Sequence, residues 1–177
     1  DELETIGRSD FGGTLPGGFS AHPHVEHDTG EVHTAVYSPL WQHIQYVLMG
    51  PDGRVSKTVD VPTGSSPMVH DCMFTKNYFI VFDFPVLFDE KALGNGSAFP
   101  YTWQPDHGAR VGLLPRKGGA EDISWHEVEP CYVFHTMNAY ENALGEVIID
   151  VVKHPKMFAS DYFGPNEGLT TLDRWTI

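Results

Sequence analysis

Three histidines stand where metal chemistry is possible: His22 in Phe19-Ser-Ala-His-Pro-His24, His70 in Pro67-Met-Val-His-Asp-Cys72, and His135 in Tyr132-Val-Phe-His135. Each lies in an apolar stretch that begins just after a Pro- or Gly-rich loop. The run from Glu129 to Glu141 is rich in β-formers, and a strand of that kind carries an imidazole toward a closed interior. The intervals are 48 and 65 residues. Each is about one four-stranded unit with its turns, the second lengthened by an insertion, against propeller blades of roughly 40–50 residues. Repetition at this pitch predicts neighbouring blades, each aiming one imidazole at a common axis. Three unrelated core histidines are the competing reading of the same spacing.

The ligand types narrow the chemistry. Neutral imidazoles suit Fe, Zn or Cu, and the lack of a neighbouring thiolate disfavours a structural zinc site. An all-imidazole shell leaves Fe(II) its full positive charge and open positions for O₂. Such ligands call for carboxylates on their second ring nitrogen, and a greasy cavity around them can be lined from a 12% aromatic content. Strand parity adds options. His22 and His24 share a face and can both reach one ion, and Cys72 falls beside His70, whereas Asp71 points away from the target of His70. Glu141 shares a face with His135 but lies about 20 Å along an extended strand. His27, His33, His43, His107, His126 and His154 lie beside turns or polar residues and read as ordinary hydrogen-bonding groups.

The elements that must position these groups read as about ten short strands. They are Phe19 to Val25, Glu31 to Ser38, Ile44 to Met49, Arg54 to Val61, Met68 to Phe74, Tyr78 to Phe84, Arg110 to Leu114, Ile123 to Val128, Cys131 to Met137 and Glu146 to Val152, with Leu169 to Ile177 closing the chain. Gly50-Pro-Asp-Gly53 is a hairpin signal. A second hairpin is expected across Thr75-Lys-Asn77, its strands apolar on both faces and therefore buried on both. Phe11 to Gly18 is a loop by its glycines and proline. Pro85 to His107 reads as the insertion, with one short helix near Asp89 to Leu93. Turn signals every 8–12 residues and no long amphipathic helix define an all-β protein, sandwich or propeller.

Composition sets the outer bounds. The 177 residues are 41% hydrophobic and 20% charged, enough for one domain with a real core, 1–177. A net charge of −13 argues against nucleic acid, which needs clustered Lys and Arg. No apolar run approaches the roughly 18 residues of a membrane-spanning helix. Cys72 and Cys131 have no Cys-x-x-Cys spacing and read as small buried hydrophobes. A reducing, cytoplasmic home follows from that usage and from the lack of a signal peptide. The start at Asp1 and the end at Leu172-Asp-Arg-Trp175-Thr-Ile177 lead us to expect a piece of something larger.

Phe19-Ser-Ala-His-Pro-His24, Met68-Val-His-Asp71 and Tyr132-Val-Phe-His-x-x-Asn-Ala-Tyr-Glu141 together resemble the carotenoid cleavage oxygenase family, the superfamily of the retinal pigment epithelium isomerase and lignostilbene dioxygenase. Gly112-Leu-Leu-Pro-Arg116 and Asp150-Val-Val-Lys-His-Pro-Lys-Met-Phe158 extend the likeness, which covers essentially all of the chain and is closest in flavour to bacterial carotenoid oxygenases. The resemblance implies a seven-bladed propeller, about half of it present here, with Fe(II) on the axis. It implies His22 (not His24), His70 and His135 as ligands. The family's fourth histidine, and the glutamates that hold the ligands' other ring nitrogens, have no counterpart in these residues. It further implies O₂-dependent cleavage of a conjugated C=C bond of a carotenoid or apocarotenoid to two carbonyl products, with peripheral membrane contact for substrate uptake in a full-length protein. A stilbene-cleaving dioxygenase, or a non-catalytic propeller fragment with an incomplete metal site, is the alternative.

Overall fold

The computed structural model describes residues 3–15 and 17–177; Asp1, Glu2 and the Pro16 of the expected loop lie outside the described residues. The first sheet is an antiparallel meander of β1 (His24–Val25), β2 (Val32–Val36), β3 (His43–Met49) and β4 (Val55–Pro62). Its β3–β4 hairpin turns where expected. Gly50 N donates to Arg54 O at 2.9 Å, and Gly53 takes a φ of 76° that a side chain would resist.

The second sheet starts with β5 (Met73–Phe74) and β6 (Tyr78–Asp83). The chain then leaves it for a two-stranded ribbon, β7 (Val86–Phe88) and β8 (Tyr101–Trp103), enclosing α1 (Glu90–Gly94). Asp89 caps α1 by accepting from Lys91 N at 2.8 Å and Ala92 N at 3.3 Å. The chain returns as β9 (Ala109–Pro115) and β10 (Ser124–Val128), giving the order β10-β9-β6-β5. The third sheet is β11 (Tyr132–Glu141), β12 (Val147–His154) and β13 (Thr171–Thr176), in that order. The expectation of an all-β chain of antiparallel sheets holds. The expected insertion, Pro85 to His107, holds the expected short helix and adds a two-stranded ribbon that was not expected.

The second sheet is buried on both faces because β6 is apolar at every position from Phe79 to Phe82. Phe79 and Val81 pack with Ile44, Tyr46, Val59 and Val61 of the first sheet. Ile80 and Phe82 pack with Tyr132, Val147, Ile149 and Val151 of the third. Burying each such side chain contributes about 1.5–3 kcal/mol, so these two cores fix the sheets against one another. Cys72 and Cys131 are free and buried, as expected of small hydrophobes, and burial pushes the Cys131 thiol up to about 12.

A polar lock ties the first sheet to the second. Arg116 grips Glu26 with two parallel bonds of 2.9 and 2.7 Å, donates to Glu31 at 2.9 Å and reaches His33 Nε2 at 3.3 Å. Because Arg can only donate, His33 Nε2 must accept, so its Nδ1–H donates to the Tyr46 hydroxyl at 2.8 Å. Burial, helped by the Arg116 charge, lowers the His33 pKa from 6.5 to about 4. A folded-state pKa below the unfolded one contributes stability above the unfolded value and loses it as pH falls through the folded one. In the full-length protein we therefore expect urea stability to decline between pH 6.5 and 4, by up to about 3 kcal/mol from this group. His33→Gln should flatten that limb; an unchanged slope would show that His33 does not drive it.

Candidate metal centre

The three histidines reach one spot by three different local devices. His22 precedes β1 in a bend where its backbone N–H donates to Ser20 Oγ at 3.1 Å. Pro23, without an N–H, separates it from the strand. His70 lies on the segment that enters the second sheet ahead of β5, after Met68 N has paired with Val86 O of the ribbon at 2.8 Å. His135 lies in β11 where the register slips. Val133 faces Lys153 and Thr136 faces Val151, so Phe134 and His135 together oppose one residue of β12. Such a bulge twists a strand and re-aims its side chains.

The imidazoles converge. His22 Nε2 and His70 Nε2 are 2.9 Å apart. Ring centroids are 4.6 Å apart for His22 and His70, and 5.0 Å for each of them with His135. One nitrogen from each ring lies within 4.8 Å of the others. A hydrogen bond could satisfy one such pair, but it gives the third imidazole no reason to point at the same place. The three together form a group whose nitrogens could hold one cation. Burial and the neighbouring His22 and His135 lower the His70 pKa, which favours the neutral, ligating form. The residues present therefore fit an imidazole-bound cation. Among the described residues no fourth ligand joins the three.

Behind the histidines sits Asp71, 5% exposed. Its Oδ1 pairs with His24 Nε2 at 2.7 Å and accepts from Cys72 N at 2.8 Å. Its Oδ2 accepts from the backbone N and the hydroxyl of Thr136, each at 3.0 Å. Burial alone would raise the carboxyl pKa, but these bonds outweigh it and hold the group below its usual value. On the apolar side, Phe134 sets its ring edge-on to His70 at 5.2 Å and meets Phe158 at 6.1 Å, which in turn meets Phe99 at 4.6 Å.

Two parity arguments fail here. His24 does not share the target of His22. It turns to Asp71, because the irregular backbone from Ala21 to Pro23 breaks the alternation before β1 begins. Cys72 groups with His24 and Asp71 and not with His70, since Met68 to Cys72 is not strand. Asp71 does point away from the His70 target, as expected. Glu141 lies off the cluster; it accepts from Thr75 Oγ1 at 2.6 Å and from Asn77 N at 2.8 Å and Nδ2 at 2.6 Å. His135 is exposed, and His22 and His70 are half-buried, so the interior is not closed within this chain. A further grouping of Glu26, Glu31 and His33 resembles a metal site by composition, but Arg116 fills it.

An all-β scaffold with a cluster of imidazoles from three separate segments is the class of protein that fold and site define. The family model described as retinal pigment epithelial membrane protein (RPE65) matches residues 1–176, and the chain belongs to that family. It is 39% identical to a carotenoid cleavage oxygenase of Mycobacterium tuberculosis, an alignment covering all of this chain and 44% of that protein. It is 34% identical to the carotenoid 9,10(9',10')-cleavage dioxygenase 1 of Arabidopsis thaliana over 84% of this chain and 28% of that one. Among solved structures it matches the Pseudomonas brassicacearum lignostilbene dioxygenase with a TM-score of 0.85 at 27% identity, over 99% of this chain and 38% of that one. Cobalt-substituted Synechocystis ACO matches with a TM-score of 0.79 at 27% identity, over 99% and 40%. The chain thus spans less than half the length of these relatives, and its antiparallel sheets match part of their fold.

Proposed function

We propose that these residues are one part of a longer, seven-bladed propeller enzyme that cleaves a conjugated C=C bond of a carotenoid or apocarotenoid with O₂. The convergence of His22, His70 and His135 carries this reading. They would hold Fe(II), with a further ligand supplied from outside the 177 residues. Fe(II), when bound, supplies the electrons that activate O₂ toward the alkene. The reaction balances without added reductant, since one C=C and one O₂ give two C=O groups. This chain's residues do the rest. The imidazoles present their nitrogens, and Phe134, edge-on to His70, sets an apolar ring beside them that would help exclude water around a flat polyene. The exposure of His135 supports a missing portion of chain that covers the open side. The match to a lignostilbene dioxygenase favours a stilbene as the second candidate substrate.

The full-length protein, purified without oxygen and loaded with Fe(II), should contain one iron per chain. Given O₂, it should convert an apocarotenoid to two carbonyl products carrying oxygen from labelled O₂. Cleavage of a hydroxystilbene and not the polyene would move the assignment to the second substrate. Iron-loaded protein that cleaves neither would favour a non-catalytic propeller.

A further inference from the structure

We propose that Asp71 is a positioning residue for the metal centre, holding the three ligand-bearing segments in register from behind. The inference rests on the ligand assignment above and extends it to a group that touches none of the ligating imidazoles. Asp71 follows His70 directly, Thr136 follows His135 directly, and His24 lies two residues after His22. One carboxylate therefore binds all three segments, which are 48 and 65 residues apart in the chain. Both oxygens carry two partners each, from His24 and Cys72 N on one and Thr136 N and Oγ1 on the other. The side chain is only 4% exposed, so water does not compete for these bonds.

The bulge in β11 makes the arrangement more than a convenient tie. Register slips on both sides of Thr136, between Val133 and Thr136 and again between Thr136 and Asn138. Thr136 stands opposite Val151 between the two slips, and a part-buried N–H in so distorted a stretch needs an acceptor. Asp71 Oδ2 receives the Thr136 N–H, so the carboxylate stabilises the distortion that turns His135 toward His22 and His70. The same Asp71 carboxylate draws His24 off the metal side, which leaves His22 as the ligand of its motif. Asn in place of Asp keeps the shape but sets an NH₂ against groups that donate, and removes the charge that strengthens the bonds.

The test is titration of the full-length, metal-free protein with Co(II), read by chelator competition and by the ligand-field absorption of the bound ion. Asp71→Asn should weaken Co(II) binding by about 10–100-fold and alter the absorption bands, as loss of outer-shell partners does. Thr136→Ser, which retains the hydroxyl, should keep wild-type affinity and spectrum. Thr136→Val keeps the backbone N–H but loses the hydroxyl bond, and should weaken binding by a smaller factor; it serves if Asp71→Asn fails to fold. A folded Asp71→Asn protein, or failing that Thr136→Val, with wild-type affinity and spectrum would overturn the proposal, even if its melting temperature fell, because Asp71 would then serve packing alone. Wild-type protein that takes up no Co(II) would overturn the ligand assignment as well.

Discussion

His22→Ala should abolish stoichiometric iron binding by the full-length protein, while His24→Ala should lose far less. The two residues belong to one motif and are separated only by Pro23, so the contrast isolates side-chain direction from local composition. His22 Nε2 lies 2.9 Å from His70 Nε2, whereas His24 Nε2 lies 2.7 Å from an Asp71 carboxylate oxygen. Removing a ligand deletes a bond to the metal. Removing His24 deletes one of four hydrogen bonds to Asp71, an outer-shell loss with an effect of about 10–100-fold on affinity at most. Metal analysis of the purified variants after Fe(II) loading and desalting decides the matter. Retained iron in His22→Ala with loss in His24→Ala would mean that the motif had been matched to the wrong residue. His70→Ala and His135→Ala should behave as His22→Ala does.

Much of the scaffold was legible because its signals are local. The unbroken apolar run in β6 announces a strand covered on both faces, and Phe79 and Ile80 do face different cores. The glycines of the β3–β4 turn and the short helix near Asp89 are read within a few residues of chain. The β7–β8 ribbon was not legible. Its strands are three residues each, with α1 and its loops between them. Pairing across such a gap has no periodicity to reveal it.

The site divides along the same line. Residue type, apolar setting and spacing mark His22, His70 and His135, while arguments from strand parity fail for His24 and Cys72. Parity presumes an uninterrupted strand. Here the first motif is irregular from Ala21 to Pro23, the second is not strand until Met73, and the third slips register twice. The partner that offsets the last slip is Asp71, 65 residues earlier than Thr136. Nothing near Thr136 in the chain foretells a carboxylate arriving from that distance.

The 177 residues expressed alone should self-associate, hold iron weakly and leave carotenoids and stilbenes uncleaved, and restoring the rest of a full-length chain should recover both iron and activity. The third sheet exposes β13 as an edge, with Leu172 63% exposed and Leu169 just before it 84% exposed. Unpaired edges beside apolar side chains are templates for another chain. In the relatives matched, more than half of each protein lies outside the aligned portion, and in a closed propeller that remainder would cover these surfaces. The metal centre argues the same way. Three imidazoles without a fourth ligand or their own outer-shell carboxylates bind more loosely, and the exposed His135 leaves water free to compete for the ion. Size-exclusion chromatography with light scattering, iron analysis and an apocarotenoid assay on the two lengths of protein give the comparison. A short chain that stays monomeric, carries one iron and cleaves a polyene would show that the site completes itself from within. His24, released from Asp71, would then be the first ligand to look for.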